Sequence, residues 1–90
     1  MQVPDNVVSG DVVCTDERVR LPDIPCRLVY LQAKKENDYV IYLGGETVES
    51  GQYGLTIEAG EKLPAMLVDN LNRFYIRGEE GEILHYLVIR

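Results

Sequence analysis

The chain has 90 residues, 46% of them apolar and 27% charged, a length and balance that fit one folded domain rather than a disordered or multidomain protein. Fifteen acidic residues against nine basic ones give a net charge of −6, and a surface of that sign repels a phosphate backbone, so no nucleic-acid partner is expected. No stretch approaches the roughly 18 consecutive apolar residues of a membrane span, and Met1 to Gly10 lacks the positive and apolar regions of a signal peptide, so synthesis and retention in a cytosol are expected.

Residues 1–17 read either as an N-terminal arm or as a first strand, ahead of a β-sandwich domain over 18–90. Val7 to Cys14 is the first strand candidate, interrupted by Ser9-Gly10, and Arg18 to Leu21 is the second. Leu21-Pro22-Asp23-Ile24-Pro25 cannot be helical, because each proline fixes its own φ and restricts the residue before it. Cys26 to Ala33 is a strong strand. Lys34 to Asp38 is a polar turn, Tyr39 to Leu43 a further strong strand, and Gly44-Gly45 is expected to end it. Glu46 to Gly54 reads as an acid-rich loop before a short strand, Leu55 to Ile57. Glu58 to Glu61 is a turn. Leu63 to Val68 is a strand whose Pro64 suits an edge position. Asp69 to Asn72 is a turn, since Asn and Asp bond their own backbone there. Arg73 to Arg77 and Ile83 to Ile89 are strands joined at Gly78-Glu79-Glu80-Gly81. Seven or eight short strands with turns every 8–12 residues, and no sustained helical periodicity, predict an all-β antiparallel sandwich or small barrel with essentially no helix.

The strongest strands are apolar on both faces. Leu28 and Tyr30 alternate with Val29 and Leu31, Ile41 and Leu43 with Val40 and Tyr42, and Leu84, Tyr86 and Val88 with Ile83, Leu87 and Ile89. A half-solvated antiparallel sheet shows one polar face, so the second face needs a cover: either a loop of this chain or a partner subunit. A homo-oligomer is therefore expected, with Val3, Val7, Val8, Tyr30 and Tyr42 as candidate interface residues.

No catalytic, cofactor-binding or metal-binding constellation emerges. His85 is the only histidine, set between Leu84 and Tyr86 in a strand, without the ligands of a zinc site or the neighbours of a dyad. Gly44-Gly45 follows a strand, but neither a Lys-Ser/Thr pair nor a helix comes after it, so it is no phosphate loop. The glutamates fall in turns without the alternating ligands of a calcium loop. The tyrosines offer a sugar-binding platform as an alternative, with Tyr53 as the one expected to be exposed. Cys14 and Cys26 have no CxxC spacing and read as free thiols of a reducing compartment.

Leu21-Pro22-Asp23-Ile24-Pro25-Cys26-Arg27, Ile41-Tyr42-Leu43-Gly44-Gly45, Leu55 to Glu61 and Val68-Asp69-Asn70-Leu71-Asn72 with Tyr75-Ile76 follow one another in an order that resembles small tailed-bacteriophage virion proteins. The resemblance covers residues 18–90, and the acid-rich stretch Glu46 to Gly54 departs from it. It implies a jelly-roll sandwich without enzymatic activity. The implied role is that of a capsid decoration or cement protein on the virion surface, made in the host cytoplasm, trimeric and bound to the major capsid protein. The alternative within the same resemblance is a carbohydrate-binding or host-adhesion module of a phage fibre. The motif order is also similar to that of cupins, but their metal sites need several histidines.

Overall fold

The computed structural model describes residues 7–49 and 52–90. Its strands are β1 (Val7–Val13), β2 (Val19–Arg20), β3 (Leu28–Ala33), β4 (Ile41–Glu49), β5 (Gln52–Ile57), β6 (Met66–Leu67), β7 (Tyr75–Gly78) and β8 (Ile83–Ile89), with one 3₁₀ turn at Leu71–Arg73. They form two four-stranded antiparallel sheets, ordered β1-β8-β3-β6 and β2-β7-β4-β5. Each strand of the first half pairs with its counterpart counted from the other end: β1 with β8, β2 with β7, β3 with β6 and β4 with β5. That nested order is the jelly roll, a long antiparallel hairpin rolled into two facing sheets.

Side-chain alternation builds the core. Val29, Leu31 and Ala33 of β3, Ile41 and Leu43 of β4, Ile57, Ile76, and Leu84 and Val88 of β8 are all at most 2% exposed. Full burial of a Leu or Ile side chain contributes about 1.5–3 kcal/mol. Val8, on the inward face of β1, packs against this cluster. β6 lies at a sheet edge, as expected, but is only two residues long and begins after Pro64.

The Leu21–Pro25 segment and the Asp69–Asn72 turn, some 46 residues apart, form one unit. Asn70 caps the 3₁₀ turn by accepting from Asn72 N at 2.9 Å, and the same Oδ1 accepts from Ile24 N at 3.1 Å. Leu71 N donates to Ile24 O at 3.0 Å. A side-chain amide thus satisfies one backbone donor of the proline-rich segment, Ile24 N, and one of the turn, Asn72 N.

Two expectations change. Gly44-Gly45 does not end a strand, and Glu46 to Gly54 is not simply a loop: β4 continues to Glu49 and β5 begins at Gln52. The register shifts between Gly44 and Glu49. Gly54 makes the continuation possible, since a methyl group there would lie 2.5 Å from the Leu43 carbonyl oxygen and 2.7 Å from Val48 Cγ2. Val48 fills that space and is fully buried. The apolar alternation on both faces also has unequal consequences in the two sheets. Tyr42 faces outward between Arg77 of β7 and Thr56 of β5, so the second sheet has a largely polar exterior.

Candidate assembly surface

The exterior of the β1-β8-β3-β6 sheet is apolar over most of its area. Cross-strand register sets it out in rows. Val7, Ile89, Leu28 and Leu67 line up across all four strands, Ser9, Leu87 and Tyr30 form the next row, then Asp11, His85 and Gln32, and last Val13 and Ile83. Leu67 is 86% exposed, Val7 55%, Val13 51%, Tyr30 41% and Leu87 37%. No described segment covers them.

A shallow depression of about 630 Å³ lies on this face. Tyr30, Leu63, Leu87 and Ile89 give it apolar walls, and Ser9, Gln32, Lys62 and His85 bring polar atoms to it. Gln32 is fixed by donating from Nε2 to Gly60 O at 3.2 Å. His85 Nδ1 stands 2.6 Å from Asp11 Oδ1, a cross-strand contact in which both side chains keep about half of their exposure, 40% and 54%. The pair, with Gln32 beside it and Ser9 in the neighbouring row, interrupts the apolar rows.

The opposite exterior differs in kind. Arg20 lies over the Tyr75 ring at 5.5 Å, and Tyr42 is half-buried next to Arg77. A smaller depression of about 340 Å³ beside it is lined by Asp38, Tyr39, Val40, Tyr42, Gly78 and Glu79, with Tyr39 61% exposed.

The candidate interface residues are therefore dispersed. Val7 and Tyr30 share the apolar exterior, Val8 faces the core, and Tyr42 is on the other sheet. Val3, with the rest of the proposed N-terminal arm before Val7, lies outside the described residues. The Tyr53 side chain is also outside them, although its backbone belongs to β5. Leu87 belongs to the apolar alternation of β8 but is not among the candidate interface residues, and local reading of the strands missed Leu67 and the Asp11–His85 pair. Leu67 sits in a two-residue strand, and the pair joins positions 74 apart. No local signal marks either.

No family model, curated protein or solved structure matches this chain.

The cysteines lie away from both exteriors. Cys14 and Cys26 are buried and free. Burial, and secondarily the Glu82 carboxylate, pushes the Cys14 thiol up to about 11. Burial, with Asp69 behind it, also raises the Cys26 thiol, which donates to Val68 O at 3.4 Å. Thiols held protonated in this way are poor nucleophiles. Among the described residues no three His, Cys, Asp or Glu side chains gather as a metal site.

Proposed function

We propose that the chain is a non-enzymatic structural subunit that decorates the head of a tailed bacteriophage, assembling as a homo-oligomer and docking on the major capsid protein. The observation that carries the reading is the uncovered apolar exterior of the β1-β8-β3-β6 sheet, with Tyr30, Leu67 and Leu87 exposed on it. A side chain such as Leu67, left 86% exposed, gains free energy when a second surface removes it from water, about 25 cal/mol for each Å². The resemblance in motif order supports the phage setting, and threefold assembly rests on that resemblance alone. The net charge of −6 keeps free copies soluble before they dock. The test is binding to purified phage heads stripped of accessory proteins. Saturable binding is expected, with loss in Tyr30→Glu and Leu87→Glu. Absence of binding, or binding that both variants retain, overturns the reading.

A second reading draws on the smaller depression. Tyr39 and Tyr42 beside Asp38 and Glu79 combine an aromatic surface with hydrogen-bonding carboxylates, the chemistry of a glycan site on a fibre module. A glycan array gives Tyr39-dependent signals under this reading and none under the first.

A further inference from the structure

Among the described residues β1 is the long, unpaired edge of the apolar sheet, and its sequence is nearly a palindrome. Val7-Val8-Ser9-Gly10-Asp11-Val12-Val13 reads the same in both directions about Gly10, apart from Ser9 opposite Asp11. We propose that β1 pairs antiparallel with β1 of a second copy, centred on Gly10, to join two sheets into one across a twofold axis. The proposal goes beyond the docking role above and stands whether or not the apolar exterior meets a capsid.

The backbone is already set for it. Cys14 N donates to Glu82 O at 2.8 Å, extending the Val13↔Ile83 register by one residue. Hydrogen-bonded and non-hydrogen-bonded pairs alternate in an antiparallel ladder. The amides and carbonyls of Val8, Gly10 and Val12 therefore face β8, and those of Val7, Ser9, Asp11 and Val13 face the open edge. The other side of β8 agrees, since Lys34 N donates to Ile83 O at 3.0 Å, which leaves the even positions of β8 for β1. In the proposed register the edge-facing residues pair with one another: Ser9 with Asp11 of the second copy, and Val7 with Val13. Each such pair exchanges two backbone hydrogen bonds.

The side chains agree as well. Val7 and Val13 are 55% and 51% exposed, and pairing places them side by side on the outer face at both ends of the contact. Ser9 and Asp11 lie on that face too, where the hydroxyl donates to the carboxylate rather than placing like charges together. On the inward face Val8 meets Val12, and the paired Gly10 residues leave room for the Tyr86 rings, which already occupy the space a side chain at Gly10 would need. An open strand edge takes such a partner when its one charge is matched, as Asp11 is here by Ser9 of the second copy, and a twofold contact closes on itself instead of growing into a fibre.

The test combines solution mass with amide exchange. Light scattering at tens of micromolar is expected to give twice the chain mass of 10.2 kDa, or a multiple of that pair. The amides of Ser9, Asp11 and Val13 are expected to be protected as well as those facing β8. Ser9→Asp sets two like charges at each Ser9–Asp11 pair and is expected to release the pair and to free these amides, with the far-UV spectrum unchanged. The double variant Ser9→Asp/Asp11→Ser restores an acceptor opposite a hydroxyl and is expected to restore the mass. A monomeric wild type, or an oligomer in which these amides exchange freely or Ser9→Asp leaves the mass unchanged, overturns the proposal. Binding to phage heads is measured separately, so an oligomer built through another surface leaves the proposed function untouched, whereas a monomer removes its homo-oligomer and leaves only the docking.

Discussion

Asn70 donates from Nδ2 to Oδ1 of Asp23 across 2.7 Å, and in doing so locks an amide whose oxygen accepts from the backbone of both Ile24 and Asn72. Asn70→Ala leaves these partly buried donors without a partner. A loss of about 2–3 kcal/mol is expected, seen as a fall in Tm on the order of 10 °C. Asn70→Asp keeps the acceptor but replaces the Nδ2 donor with an oxygen set against Asp23, so it is expected to lose stability too. Thermal melts of the two variants against the wild type check both.

Two glycines separate by what a methyl group would strike. At Gly54 the obstacle is the Leu43 carbonyl oxygen, which is backbone, together with Val48; at Gly10 it is the far end of the Tyr86 ring. Gly54→Ala is expected to cost about 2–3 kcal/mol and Gly10→Ala about 1 kcal/mol, because a ring can swing aside and a paired strand cannot. Urea unfolding of the two variants measures the difference, and equal costs would contradict it.

The Cys14 thiol, raised from an ordinary value near 9.0 to about 11, gives a pH prediction of definite sign. The native state holds this proton more tightly than the unfolded chain does. Its contribution is fully present below pH 9 and is lost as pH rises toward 11. Cys14→Ala is expected to show a shallower loss of stability across that window than the wild type. Native protein at pH 8 is expected to react slowly with thiol reagents at both cysteines, and quickly once unfolded.

Tyr30→Glu and Leu87→Glu replace side chains that already meet water. Each is expected to shift stability by less than about 1 kcal/mol while reducing binding of an apolar dye to the native protein. A large loss of Tm would mean that these side chains support the core instead.

The register of β8, from Ile83 to Ile89, and the inward set of β3 are legible in the sequence because two-residue alternation there runs between clear turns. The β4–β5 continuation is not, since Gly44, Gly45 and Gly54 are the residues that normally punctuate strands, and the use of Gly54 as room for Val48 depends on a neighbour across the hairpin. Tyr30 and Tyr42 illustrate the limit for the surface. Both sit between apolar neighbours in strong strands, yet one opens onto Leu87 and the other onto Arg77. Only the pairing order separates them, and that order is a property of the whole chain.

The nested pairing has a consequence for birth on the ribosome. β4 and β5 are adjacent and can close as soon as both have emerged, and each later strand then reaches back to an earlier one, until β8 inserts between β1 and β3. β1 is therefore the first of these strands to be made, yet its partner is the last to arrive. For that interval both of its edges are open, and Asp11, the only charge along it, is its guard against premature association. Closure over so long a separation is slow compared with local folding, so the yield of soluble protein is expected to respond more to Asp11 than its exposed position would suggest.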